Sequence, residues 1–117
     1  MRVASRALAE PFTTLDGSTI RVLLDGSSGA ANQSLAEAEL APDQSTERHY
    51  HPRSEEIYIL LEGWAEMEVD GERGRVEAGN AILIPAGARH EIRAGGTGLR
   101  FLCCCAPAYS DGDTLFD

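Results

Sequence analysis

Three residues near the middle of the chain have the types and spacing to bind a metal. His49 and His51 are separated by one residue, so on a β-strand both imidazoles leave the same face. After the turn Pro52–Glu55 comes a second carboxylate, Glu56, then the apolar run Ile57–Leu61 closed by Gly63. Two imidazoles and a carboxylate converging from neighbouring strands form a facial nitrogen/oxygen set for a divalent first-row metal. Taken alone, the His-x-His pair suits exposed imidazoles beside a solvated acidic turn equally well. Glu55 is the competing carboxylate; Glu56 is preferred because it leads directly into the apolar run.

The remaining histidine lies in a second stretch, Gly79-Asn80-Ala81-Ile82-Leu83-Ile84-Pro85-Ala86-Gly87-Ala88-Arg89-His90. All three histidines of the chain therefore fall in these two stretches. Together they resemble the paired motifs of the cupin family, G-x5-H-x-H-x4-E-x6-G and G-x5-P-x-G-x2-H-x3-N. His49, His51, Glu56 and Gly63 fill the first, and Gly79, Pro85, Gly87 and His90 the second, with fifteen residues between them. Asp43 stands in place of the leading glycine and Ala94 in place of the closing asparagine; neither position is a metal ligand in the family. The resemblance implies a cupin-type jelly-roll β-barrel with His49, His51, Glu56 and His90 as ligands. It implies one divalent transition metal per chain (Fe, Mn, Ni, Cu or Zn), with one or two coordination positions open. It does not imply one reaction, because the fold hosts many.

The elements that must position these residues read as short strands. A chain of 117 residues is expected to be one domain, 1–117. Its motif core runs from about 43 to 94, with N-terminal strands and a loop over 1–32 and a tail over 106–117. Phe12–Leu15 and Thr19–Leu24 flank the hairpin signal Asp16-Gly17-Ser18. Asp25–Asn32 is a polar loop that could also cover a pocket. Gln33–Leu40 alternates; Leu, Ala and Glu would also suit a short helix, but the alternation and Pro42 favour a strand with Ala36, Ala38 and Leu40 inward and Glu37 and Glu39 outside. Asp70-Gly71 closes another hairpin, and Gly95–Gly98 is expected to be the last tight turn before Leu99–Cys105. The total is about eight to ten short strands, an all-β barrel or sandwich.

Composition excludes several partners. The formal charge is −9, with ten arginines and no lysine, which opposes nucleic acid and anionic membranes. No apolar run approaches membrane-spanning length, and Met1–Glu10 lacks a secretory apolar region. The three adjacent cysteines, Cys103–Cys105, do not form a disulfide framework. A cytoplasmic protein is expected. A nucleophilic pairing of Cys103 with a histidine is conceivable, but the histidines are better used as ligands.

Strand parity gives the pocket. With Glu56 inward, Tyr58 and Leu60 are inward too, joined by Ala36, Met67, Ile92, Phe101, Cys103 and Cys105. Arg48, Arg89, Arg93 and Arg100 should then face outward, leaving a mostly apolar cavity for a small neutral or aromatic molecule. The outward residues Ile57, Ile59 and Leu61, with Trp64 just beyond, present an apolar face that suggests a homodimer. The expected activity is an oxygen-dependent, dioxygenase-type oxidation. The alternatives are non-redox lyase, isomerase or decarboxylase chemistry, or small-molecule binding without turnover.

Overall fold

The period-two patterns fold as strands throughout, and no α-helix forms. A computed structural model describes residues 1–117. Its strands are β1 (Phe12–Thr13), β2 (Thr19–Leu24), β3 (Ser34–Leu40), β4 (Glu55–Val69), β5 (Glu72–Glu77), β6 (Ala81–Ile84) and β7 (His90–Ala106). Short 3-10 turns occupy Arg6–Leu8, Gly26–Ser28 and Asp111–Asp113. All pairings are antiparallel, in the order β1-β2-β3-β7-β4-β5, with β6 hydrogen-bonded to β4. This is a jelly-roll arrangement whose sheet is not closed by hydrogen bonds between its first and last strands.

There are seven strands, fewer than the eight to ten expected, because two breaks read from the sequence are not breaks. Gly63 continues β4: it takes φ +89°, and a Cβ there would collide with the Gly98 carbonyl. Gly95–Gly98 lies within β7 and forms no terminal turn. Gly63 pairs with Leu99 and Ala65 with Ala94, so the residues between bulge out of register opposite Trp64. The long β4 and β7 can thereby bend and serve both halves of the barrel. Where the motif places a leading glycine, Asp43 adopts φ +64°, a left-handed conformation that aspartate tolerates.

Inward alternation holds along β3, β4 and β7: Ala38, Leu40, Tyr58, Leu60, Met67, Ile92, Ala94 and Phe101 are all buried. The outer face is less simple than expected. Glu37 does leave β3 on the outer side, but it is 2% exposed. Arg6 donates to it at 2.8 Å and Arg100 at 3.2 Å, so guanidinium groups from other segments cover it. Arg21 lies 3.8 Å away. Within Asp25–Asn32, Gly26–Ser28 forms a 3-10 turn capped by Asp25, which accepts from the Ser27 N–H.

Candidate metal centre

His49 and His51 arrive on the segment just before β4, Glu56 is the second residue of β4, and His90 opens β7. An isolated bridge pairs His49 with His90 through both backbone bonds, at 3.1 and 2.9 Å. Glu56 pairs with Cys105 of β7 and Ile84 of β6, and its side chain turns inward to the imidazoles. The three rings lie 4.3, 5.1 and 5.5 Å apart, centroid to centroid, and their nitrogens form one group able to hold a metal ion.

The ring tautomers follow from the backbone. Nδ1 of His49, His51 and His90 faces the carbonyl oxygens of Glu47, Asp113 and Ala88 at 2.7, 3.1 and 2.9 Å. A carbonyl only accepts, so each Nδ1 donates and each Nε2 presents a lone pair inward. Opposite them sits another acceptor. Glu56 Oε1 lies 3.4 Å from His51 Nε2 and 3.3 Å from His90 Nε2. Glu56 Oε1 and His90 Nε2 are buried with no hydrogen-bond partner. Acceptors that face one another in a buried site call for a hydrogen-bond donor or a cation between them.

Burial opposes the Glu56 charge, yet the facing His51 and His90 imidazoles outweigh it and hold the carboxyl well below the usual range. Burial pulls His51 down, but the Glu56 carboxylate more than compensates, and its pKa rises. Burial and then the charge of His90 keep His49 low. The three imidazoles form a cluster suited to a divalent transition ion, with the Glu56 carboxylate beside two of them.

Ala36, Tyr58, Phe101, Cys103 and Cys105 line the cavity beside these donors, together with Ala38, Ile20, Val22, Phe12 and Tyr109. Leu60, Met67 and Ile92, expected in the pocket, do not line it. They point inward and pack in one core cluster with Tyr58 and Phe101 but do not reach the cavity surface, because parity fixes the side of a strand and says nothing about depth along it. No arginine lines the cavity. Arg48 binds Glu68, Arg89 binds Asp117 and Arg100 binds Glu62, while Arg93 is exposed. Burial raises the thiol pKa of Cys103 and Cys105, the nearby Glu56 charge adding to it, so neither is an activated nucleophile. Cys105 Sγ donates to Glu56 Oε2 at 3.1 Å.

Two contributions were not visible in the sequence. Asp16, which reads as a hairpin residue, lies on the cavity wall with Oδ2 3.8 Å from His49 Nε2. The tail is no idle loop: Leu115 pairs with Tyr50, and the Asp113 carboxylate accepts from the Arg53 and Ser54 N–H groups at 3.1 and 3.0 Å. Tyr109 and Phe116 rings stand 5.8 Å from His51 and His49 respectively. No short-range pattern marks these residues; only the folded path brings them to the site.

The barrel and its convergent donors define a cupin, and the comparisons agree: a family model for the cupin domain matches residues 36–105, and the chain belongs to that family. Protein MJ1618 of Methanocaldococcus jannaschii is 43% identical over 107 residues, covering 90% of this chain and 86% of that protein. The tetracenomycin polyketide synthase protein TcmJ of Streptomyces glaucescens is 40% identical over 91 residues, 78% of this chain; the chain spans 60% of the length of TcmJ. Among solved structures, the polyketide cyclase RemF from Streptomyces resistomycificus superposes with a TM-score of 0.81 at 30% identity, covering 91% of this chain and 79% of that one. No helix is long and apolar enough to cross a membrane.

Proposed function

We propose that the protein is a metal-dependent cupin enzyme in which His49, His51, Glu56 and His90 hold one divalent transition ion beside a cavity for a small, uncharged, partly aromatic molecule. The observation that carries this reading is the unpartnered pair Glu56 Oε1 and His90 Nε2, buried 3.3 Å apart beside the other two imidazoles, an arrangement that a cation held among them reconciles. Such an ion supplies Lewis-acid polarisation of a substrate carbonyl or, if redox-active, electron exchange with O2. The chain supplies the rest. Tyr58, Phe101 and Ala36 offer an apolar wall, and the absence of a lining arginine leaves no bidentate partner for an anionic substrate.

The first reading of the reaction is carbonyl chemistry without net oxidation, of the cyclising or isomerising kind. Its support is the likeness to a polyketide cyclase and to a polyketide synthase protein. The oxygen-dependent oxidation expected from the sequence is the second reading, favoured by apolar surface directly beside the donors, which admits O2. Metal analysis of purified protein and of His51→Ala and His90→Ala is the first test; one ion per chain is expected, lost in both variants. Full retention in both would refute the ligand assignment. An aromatic polyketone should then be consumed equally with and without O2. Consumption only in air establishes the second reading, and tight binding without turnover a binding module.

The same proposal includes a homodimer in a reducing, cytoplasmic setting. Ile57, Ile59 and Leu61 are 44%, 40% and 36% exposed on the outer face of β4, beside Leu83 at 57%. The N-terminal strands extend the sheet beyond β3 and leave this face open, while Trp64 is covered by Arg75, 4.3 Å above its ring. Three free thiols suit a reducing compartment. A monomeric mass by light scattering at micromolar concentration would refute the dimer.

A further inference from the structure

Asp16 is fixed by two bonds that use one of its oxygens. The Ser18 N–H and Oγ–H both donate to Oδ1, at 2.9 and 2.6 Å. The Asp16 carbonyl accepts from the Glu47 N–H at 2.8 Å, which ties this hairpin to the segment that carries His49. Oδ2 takes part in none of the hydrogen bonds of the structure, although the side chain is only 14% exposed. It faces the cavity and stands 3.8 Å from His49 Nε2. Because His49 Nδ1 donates to the Glu47 carbonyl, Nε2 is an acceptor, and so is Oδ2. Two acceptors held this close on a largely buried wall are reconciled by a hydrogen-bond donor between or beside them.

The other acceptor pairs of the cavity, those of Glu56 with His51 and His90, are satisfied by the proposed ion. Asp16 Oδ2 approaches His49 alone among the three imidazoles, and the cavity wall beside it includes Phe12 and Thr14 of the same N-terminal hairpin. We propose that Asp16 is a specificity-determining residue that accepts a hydrogen bond from a hydroxyl of the substrate, so that the cavity selects hydroxylated aromatics over their ethers. This rests on the reading of the cavity as an aromatic-binding metal site. Phe12, Ile20, Val22 and Phe101 make much of the surrounding wall apolar, and a ligand lacking the donor leaves Oδ2 covered and unpaired.

The test compares resorcinol with 1,3-dimethoxybenzene on the zinc-loaded protein and on zinc-loaded Asp16→Asn, by calorimetric titration. In Asp16→Asn the amide oxygen keeps both Ser18 bonds, and the NH2 group replaces the acceptor with a donor that suits hydroxyl and ether alike. Differences in probe size cancel when the two preferences are divided. Wild type is expected to prefer resorcinol about tenfold or more. The preference should fall to within about threefold in the variant, with zinc content unchanged. An equal preference in both proteins overturns the assignment of Asp16 and leaves the aromatic cavity standing. Zinc loss in Asp16→Asn also overturns it, by making the carboxylate part of the metal site. If neither probe binds wild type, the cavity reading itself fails and the Asp16 assignment with it.

Discussion

Three glutamates are buried to nearly the same degree, yet they belong to two kinds of surroundings. On the outside of the barrel, Glu37 and Glu68 have side chains 3% and 4% exposed, and each is met by arginine: Arg6 and Arg100 for Glu37, Arg48 at 2.6 Å for Glu68. Inside, the Glu56 side chain is 6% exposed and meets only imidazole nitrogens and a thiol. A buried carboxylate is tolerated when its charge is matched. The outer pair meet guanidinium cations within the chain; the inner one meets none, and the proposed metal site rests on that difference.

The comparison is broken most directly by neutralising each partner in turn. Glu56→Gln should lose at least tenfold in metal affinity, measured by chelator competition. The metal-free variant should be no less stable than wild type, since its amide can donate to a waiting Nε2. Glu68→Gln should do the reverse, keeping full metal content while losing about 1 kcal/mol of stability with its ion pair to Arg48. Equal effects of the two substitutions on metal retention would erase the distinction.

A second contrast separates the fully packed core from the cavity wall. Ile92, at 0% exposure in the core, should cost about 3 kcal/mol on substitution by alanine, because a closed core cannot collapse around the void. Cys103→Ala, on the cavity wall, should cost under about 1 kcal/mol. Chemical denaturation of both variants decides it; equal losses would mean that the cavity wall is packed as tightly as the core.

This division also shows what could be read from the sequence. The side of each strand was legible: His49-x-His51, Tyr58 and Leu60, and Ile57, Ile59 and Leu61 all fall where a period of two puts them. Depth was not: alternation puts Leu60, Met67 and Ile92 on the same inner side as Phe101 and Cys103, yet only the latter two line the cavity. Nor was cover: Glu37 sits on the outer face as alternation requires, but its arginines come from positions 6, 21 and 100, which no local pattern connects. Asp16 and the Tyr109–Phe116 segment reach the centre only through tertiary pairing, with Glu47 in one case and Tyr50 in the other.

A smaller effect distinguishes the two outer glutamates from each other. Glu68 has one guanidinium partner and the Gly71 N–H at 2.8 Å. Glu37 would keep Arg6 if Arg100 were lost. Arg48→Met should therefore lower the melting temperature more than Arg100→Met. Glu68 is held below the ordinary carboxylate range, first of all by its hydrogen bond to Arg48. A depressed folded-state pKa contributes stability that is present above the unfolded value, about 4.3, and is lost as pH falls through the folded value. The melting difference between Arg48→Met and wild type should thus be full at pH 7 and fade in acid. A difference that grows on acidification would contradict this pairing.

The smallest effect concerns how Glu56 is aimed. Cys105, 2% exposed on β7, donates to Oε2, and this leaves Oε1 as the oxygen that faces His51 and His90. Burial raises the thiol pKa first, with the Glu56 charge adding to it, so the sulfur stays protonated and serves as donor. A neutral donor to a carboxylate in a buried site contributes on the order of 1 kcal/mol, and here part of that goes into fixing the orientation of a ligand. Cys105→Ala should weaken metal binding severalfold, while Cys105→Ser, which restores an O–H donor of similar size, should recover most of it. Cobalt substitution gives a readout that lost packing would not reproduce: the ligand-field spectrum should shift in Cys105→Ala and return toward wild type in Cys105→Ser. If both variants lose affinity equally and leave the spectrum unchanged, Cys105 acts through packing alone, and the aim of Glu56 is set by the imidazoles.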